Sequence, residues 1–96
     1  MNRYRLSRRA KADLAGIWRY TERKWGSEQA NTYLDTIFGA LDALAADPSR
    51  GRPCDDIHTG YFRYAVGSHI AFYRRVGADI GIVRILHQRM DFERHL

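Results

Sequence analysis

The chain has 96 residues, of which 45% are hydrophobic and 28% charged, and its sixteen Lys and Arg residues against eleven Asp and Glu give a net charge of +5. This composition indicates one soluble globular domain, predicted to span residues 1–96, and excludes a bilayer-spanning protein because no apolar run is long enough. Fourteen of the sixteen cations are Arg, whose guanidinium binds carboxylates and phosphates bidentately, so a strongly charged partner is expected.

The N-terminal half predicts one short strand followed by two helices. Residues 3–6 alternate polar and apolar side chains as a strand does, and no apolar signal segment accompanies them, so a cytoplasmic protein is expected. Ser7 is a good N-cap for the first helix, Gly26 ends it, and Ser27 with Glu28 begins the second. Apolar residues recur at helical spacing at Ala10, Leu14, Ile17, Trp18, Thr21 and Trp25, then at Ala30, Tyr33, Leu34, Ile37, Leu41 and Leu44. So short a break between the helices predicts an antiparallel hairpin.

Two tryptophans lie in the stripe of the first helix. Core packing against the second helix is the favoured interpretation of Trp18 and Trp25, and a protein-binding hot spot is the alternative. Trp25 is the stronger candidate for such a hot spot because it lies at the helix end. Arg19 and Arg23 fall on the other face with Tyr20, where they are free for solvent or a partner.

A loop rich in Pro, Gly and Asp, "DPSRGRPCDD", follows the helices. It contains Cys54, the only cysteine, which excludes an internal disulfide and a thiolate metal cluster. Two acidic residues follow Cys54 and disfavour its thiolate, so a passive thiol is expected. Arg50 and Arg52 are interpreted as solvated loop residues in preference to partner contacts.

Beyond this loop the apolar period changes from about 3.6 to 2, which predicts strands. The segments 61–66, 69–76 and 80–87 form a predicted meander, with tight turns at Gly67-Ser68 and Gly77-Ala78-Asp79 and a final helical turn near the C-terminus. The predicted fold class is therefore α+β with the order β-α-α-β-β-β. A helical hairpin would pack on one face of a mostly antiparallel four-stranded sheet, which the first strand joins.

The chain resembles the RelE/ParE superfamily of bacterial toxins, and within it the ParE branch. The resemblance rests on the order of four segments: "YRLSRRAKADLAGIWRYTERKWG", the P-x-x-G-R-P pattern from Pro48 to Pro53, "GYFRYAVGSHIAFYRR" and "IVRILHQRMDFERHL". It implies the RelE/ParE-like fold and a toxin of a type II toxin–antitoxin system, with a role in plasmid maintenance or the stress response.

The ParE resemblance also implies partners. ParE-like toxins inhibit DNA gyrase by protein–protein binding and are neutralised by a ParD-like antitoxin in a higher-order complex, without a cofactor. The antitoxin is expected to supply an amphipathic helix and acidic side chains, and it is usually the antitoxin that binds DNA. A module that only forms the complex and regulates its operon, without toxicity, remains a third possibility. No membrane contact or metal is expected, since the four histidines lack ligand spacing.

The alternative implied by the RelE branch is a ribosome-dependent mRNA endoribonuclease. Its acid–base and phosphate-binding residues would be His87, Arg63, Arg84 and Arg75. Three features disfavour it: Gln88 follows His87 where several such ribonucleases carry Tyr, the "CDDIHTG" segment is acidic, and strand alternation puts Arg84 on the face opposite His87. His87 is then interpreted as a strand-end residue packed or hydrogen-bonded near Arg89 or Asp91.

The predicted partner-binding residues combine exposed cations with apolar anchors. Two interpretations of Arg84 stay open: a solvated residue whose stem covers apolar neighbours, or a contact to an antitoxin carboxylate. The C-terminal segment is the first candidate for toxicity toward gyrase, and its docking on the sheet is the alternative. The full set is Trp25, Arg19, Arg23, Arg63, Arg84, Arg89, Met90, Phe92 and Arg94.

Overall fold

The computed structural model describes residues 3–96; Met1 and Asn2 lie outside the described residues. The elements follow the predicted order with one additional strand. They are β1 (Tyr4–Leu6), α1 (Arg8–Trp25), α2 (Ser27–Ala46), a 3₁₀ turn (Pro48–Arg50), β2 (Arg52–Pro53), β3 (Phe62–Val66), β4 (His69–Val76), β5 (Asp79–His87) and α3 (Phe92–His95).

The strands form one sheet in the order β1-β5-β4-β3-β2. The strand β1 runs parallel to β5, and the other neighbours are antiparallel. The predicted sheet of four strands is therefore corrected to five, because Arg52 and Pro53 pair with Arg63 and Phe62. A strand of two residues has no alternating pattern to detect, and its proline is tolerated only because β2 lies at the sheet edge, so β2 could not be predicted.

The helical hairpin packs on one face of the sheet, as predicted. The hydroxyl of Ser7 accepts the backbone N–H of Ala10 at 3.0 Å, which caps α1. Gly26 adopts φ of +92° between the helices, a conformation that favours glycine. The main core contains Leu14 and Ile17 of α1, Leu34, Ile37, Leu41 and Leu44 of α2, and Tyr73, Ile80, Ile82 and Ile85 of the sheet. None of the helices formed by residues 3–96 is long and apolar enough to span a bilayer.

The two tryptophans of α1 have different environments. Trp18 is half-buried against the main core, and its indole N–H donates to the Asn31 side chain at 2.9 Å. Core packing is therefore correct for Trp18. It is wrong for Trp25, which is 64% exposed because Thr21 is the last buried residue of the stripe.

A second, smaller core lies on the other sheet face. It consists of Cys54, Ile70, Phe72 and Leu86, covered by the loop before β3 and by Phe92 and Leu96 of the C-terminal segment. Docking of that segment on the sheet is thus observed. Burial raises the pKa of the Cys54 thiol, the effect expected of a passive cysteine.

An irregularity in the pairing of β4 with β5 decides which side chains face the helices. Phe72 pairs with Arg84 but Tyr73 pairs with Ile82, so Val83 is an extra residue. Without it, Ile82 and Ile85 would point to opposite faces, yet both lie in the main core. Beyond this bulge, Ile85 and His87 face the helices.

Candidate functional site

A groove runs along α1 on the helix side of the sheet. Its larger part has a volume of about 460 Å³ and is lined mainly by apolar atoms of α1, the end of β5 and Met90. A second hollow of about 230 Å³ adjoins it at Tyr20 and His69 and extends to Trp25 and Gln29. We call the two together the α1 groove.

Among residues 3–96, three of the four exposed large hydrophobic residues border the α1 groove. Trp25 is 64% exposed, Tyr20 54% and Met90 44%, whereas the fourth, Phe38, lies on α2 outside the groove. Scattered exposed apolar residues need no explanation, but a contiguous set around a groove marks an interaction surface. Aromatic residues and methionine are enriched at such surfaces.

Gly16 forms part of the groove wall in the middle of α1. A glycine inside a helix costs about 0.5–1 kcal/mol relative to alanine, so a compensating reason is expected. Apart from the adjacent residues and the backbone of α1 itself, a Cβ at Gly16 would have no neighbour within 4 Å, so no tertiary contact requires the glycine. Its absent side chain leaves room on the helix surface for another molecule.

His69 lies where the two parts of the groove meet. The Tyr33 hydroxyl accepts the Ser68 backbone N–H at 3.1 Å, and its own proton has two acceptors in reach, Nδ1 of His69 at 2.7 Å and the Val66 carbonyl at 3.5 Å. The much shorter contact favours donation to Nδ1 of His69. Burial, together with the neighbouring His87, lowers the pKa of His69 from 6.5 to about 4. His69 is therefore neutral at physiological pH.

His87 is the cross-strand neighbour of His69. Their rings meet edge to face, with centroids 5.3 Å apart. The backbone N–H of Arg89 donates to Nδ1 of His87 at 3.2 Å. The predicted hydrogen bond near Arg89 is thereby confirmed.

Arg84 is bound within the chain. Its Nε and Nη2 donate to the two carboxylate oxygens of Asp13 at 2.8 Å each, and Nη1 donates to the His95 carbonyl at 2.9 Å. Asp13 also accepts the backbone N–H of Ile85 at 2.9 Å. Both sequence interpretations of Arg84, as a solvated residue or a partner contact, are corrected, because Asp13 of α1 reaches the edge of β5 that β1 leaves uncovered.

The four ribonuclease candidates do not lie together. Arg63 and Arg84 both pair with Phe72, on the face of the second core, and the guanidinium of Arg63 lies 5.7 Å from the Phe92 ring centroid. His87 faces the helices, opposite Arg84 as predicted. Arg75 pairs with Ile80, seven residues along β5 from His87, which corresponds to about 23 Å.

The remaining predicted partner residues divide into free and engaged side chains. Arg19, Arg23, Arg89 and Arg94 are exposed. Phe92 packs edge to face on Phe72 with centroids 4.9 Å apart. No three His, Cys, Asp or Glu side chains of residues 3–96 come together as a metal site requires.

The sequence interpretation missed three groove residues, Asp13, Gly16 and His69. A signal existed for Gly16, since a mid-helix glycine beside Ala12 and Tyr20 at helical spacing indicates a close approach. No pattern within the chain links Asp13 to Arg84, 71 residues away, or His69 to Tyr33.

The sequence of this chain matches a known protein family over most of its length. The family model described as ParE toxin of type II toxin–antitoxin system, parDE, matches residues 4–92. The chain belongs to this ParE toxin family. Toxin ParE1 of Caulobacter vibrioides is 48% identical over 96 residues, covering 100% of this chain and 99% of that protein. Toxin ParE of Escherichia coli is 34% identical over 92 residues, covering 95% and 89%.

Solved structures agree with the family. A chain of the chromosomal ParDE system from P. aeruginosa matches with a TM-score of 0.79 and 26% identity, covering 91% of this chain and 96% of that one. A chain of the RelBE2 toxin–antitoxin complex from Mycobacterium tuberculosis matches with a TM-score of 0.70 and 19% identity, covering 91% and 98%, and so shares the fold. The predicted RelE/ParE-like fold is confirmed, and membership of a toxin–antitoxin family gives this ParE toxin an antitoxin as its partner.

Proposed function

We propose that the α1 groove binds a helix of a ParD-like antitoxin. The observation that carries this proposal is the groove itself, apolar along its length and bordered by exposed Tyr20, Trp25 and Met90. An amphipathic helix laid into an apolar groove is a common recognition mode, and Gly16 allows the closest approach. The exposed Arg19 and Arg23 of α1 would meet acidic side chains at the rim of the interface.

We further propose that the free toxin inhibits DNA gyrase in the cytoplasm by protein–protein binding. The support is membership of the ParE family and the C-terminal segment, which presents exposed Arg89, Met90 and Arg94. A fold alone does not fix function, so the rival activity of the RelE branch must be weighed on its residues.

A ribosome-dependent ribonuclease would need general acid, general base and phosphate-binding groups around one phosphate. His87, Arg84 and Arg75 lie on different faces or at different ends of the sheet, and Arg84 is paired with Asp13. This distribution favours the gyrase proposal.

The test combines both activities in one preparation. Purified toxin is added to gyrase and relaxed plasmid, with and without antitoxin, and in parallel to ribosomes translating an mRNA. We expect loss of supercoiling that antitoxin reverses, with intact mRNA. Cleaved mRNA with normal supercoiling would favour the ribonuclease, and a toxin inert in both assays that still binds antitoxin would favour the regulatory module.

Variants locate the antitoxin site. Trp25→Ala should weaken neutralisation, because truncating a central aromatic residue in an interface costs about 2 kcal/mol or more, or roughly thirtyfold in Kd. Phe38→Ala is the matched control, since Phe38 is exposed on α2 away from the groove. Equal effects of the two substitutions would contradict the proposed site.

A further inference from the structure

Two neighbouring histidines lie in a groove that is lined mainly by apolar atoms. His69 and His87 are cross-strand partners on the helix side of the sheet, and both line the α1 groove. Polar groups inside an apolar binding groove fix the orientation and specificity of what binds there. The hydrogen-bond donors and acceptors of these two rings that are not used within the chain are therefore available to a ligand.

The tautomer of each ring follows from its neighbours. Nδ1 of His69 accepts the Tyr33 hydroxyl and Nδ1 of His87 accepts the Arg89 backbone N–H, so each neutral ring carries its hydrogen on Nε2. Neither Nε2 has an acceptor within residues 3–96. Every fully buried side-chain nitrogen or oxygen in that part of the chain has a hydrogen-bond partner, so neither Nε2 is fully buried, and both rings line the groove.

The charged and titratable groups around the pair do not supply an acceptor. Asp13 on α1 is the only carboxylate that lines the groove, and Arg84 with the Ile85 backbone N–H occupies both of its oxygens. On α2, the Tyr33 hydroxyl is already bound to His69 and Ser68. The remaining titratable group, Tyr20 of α1, is more than half exposed. No charged group of the groove therefore accepts from the two histidines, so a bound partner can supply that acceptor in place of water.

We propose that His69 and His87 together bind one side-chain carboxylate of the antitoxin helix, an inference that rests on the proposed antitoxin site. A carboxylate is an acceptor only, with two oxygens for two neighbouring donors. Its negative charge complements a chain of net charge +5. An acidic residue on the apolar face of the antitoxin helix then sets the register in which that helix lies in the groove.

The same arrangement couples binding to a proton. A carboxylate beside His69 favours the imidazolium, and the local hydrogen bonds can adapt to it. The Tyr33 hydroxyl then turns to the Val66 carbonyl, 3.5 Å away, and accepts from the protonated Nδ1 of His69. His69 is the ring that takes up the proton, because the hydroxyl facing its Nδ1 can turn to accept. Binding therefore strengthens as the pH falls toward 6.

The experiment is a calorimetric titration of wild-type toxin with the antitoxin that neutralises it, at pH 6.0 and 7.5 and in buffers of different ionisation enthalpy. We expect proton uptake on binding and an affinity at least about threefold higher at pH 6.0. His69→Gln retains an N–H donor near the position of Nε2 but does not titrate, so proton uptake should disappear while binding at pH 7.5 persists. His69→Phe also removes the donor and should weaken binding about tenfold.

His58→Gln is the matched control, because His58 is exposed and stacks on Tyr61 outside the groove. Thermal unfolding of each variant establishes that it folds. If wild-type affinity is independent of pH and His69→Phe binds as tightly as wild type, the carboxylate proposal is wrong, although a Trp25→Ala defect would still support the groove. If no antitoxin binds wild-type toxin, the proposed site itself fails.

Discussion

Asp13 shows how one side chain can join three parts of the molecule. It accepts two hydrogen bonds from Arg84 and one from the Ile85 backbone, and Arg84 in turn holds the His95 carbonyl of the C-terminal segment. The two charged side chains are only 15% and 13% exposed. Removing one partner of such a pair leaves the other charge desolvated without compensation.

We therefore expect Asp13→Ala to lower the free energy of unfolding by about 2–4 kcal/mol in urea denaturation. Asp35→Ala is the control, because Asp35 is an exposed helical aspartate of α2 and should change stability by less than about 0.5 kcal/mol. Both substitutions gain the same helix propensity, so their difference measures the lost contacts. A difference below about 1 kcal/mol would contradict a structural role for the pair.

The low pKa of His69 should make the free energy of unfolding decrease at acidic pH. Its pKa is 6.5 when unfolded and about 4 when folded, so between these values the unfolded chain binds the additional proton. Stability from this residue is complete above pH 6.5 and is lost as the pH falls toward 4. The full shift would correspond to about 3 kcal/mol, and solvent screening in the open groove reduces our expectation to about 1–2 kcal/mol. Urea denaturation across this range should show a weaker pH dependence for His69→Gln; an unchanged slope would assign the acid sensitivity elsewhere.

At the scale of elements, α1 both packs against the core and borders the proposed binding groove. A substitution at Gly16 should affect these two roles in opposite directions. Gly16→Ala should raise the free energy of unfolding by about 0.5–1 kcal/mol, because no atom within 4 Å opposes the new methyl group. The same methyl group narrows the groove and should weaken antitoxin binding.

Gly39→Ala on α2 provides the comparison for Gly16. It also meets nothing within 4 Å and should stabilise equally, without an effect on binding, because Gly39 does not line the groove. Thermal unfolding and equilibrium binding of both variants measure the two effects. Gly16→Ala that binds antitoxin as tightly as Gly39→Ala would remove α1 from the interface.

The order and type of the elements could be predicted because apolar spacing, helix caps and turn residues are signals between residues close together in the sequence. Ser7 and Gly26 bound α1 where a cap and a left-handed residue were expected. The features that could not be predicted depend on contacts between residues far apart in the sequence. The bulge at Val83 is set by the register of β4 against β5, and the exposure of Trp25 depends on which distant segments pack against the end of α1. The spacing of apolar residues shows which of them share a helix face, but not which of them other elements bury.

At the scale of the whole molecule, positive charge should govern how fast the antitoxin binds. The chain carries a net charge of +5, and Arg84–Asp13 is the ion pair observed within residues 3–96, which leaves most guanidinium groups open. Raising the salt concentration from about 0.05 to 0.5 M should slow association by roughly tenfold or more. Stopped-flow measurements test this, and Trp25→Ala should act mainly on dissociation. An association rate independent of salt would argue against an acidic partner.

The parallel pairing of β1 with β5 also constrains how the toxin is made. Tyr4 pairs with Ile80, so the first strand has no neighbour until the last one has left the ribosome. At roughly 5–20 residues per second, the chain from the end of α2 onward takes on the order of several seconds to synthesise. During that interval the helical hairpin exists without the sheet that buries its apolar stripe. The complete sheet, and with it the folded domain, can therefore form only late in translation, after β5 has emerged.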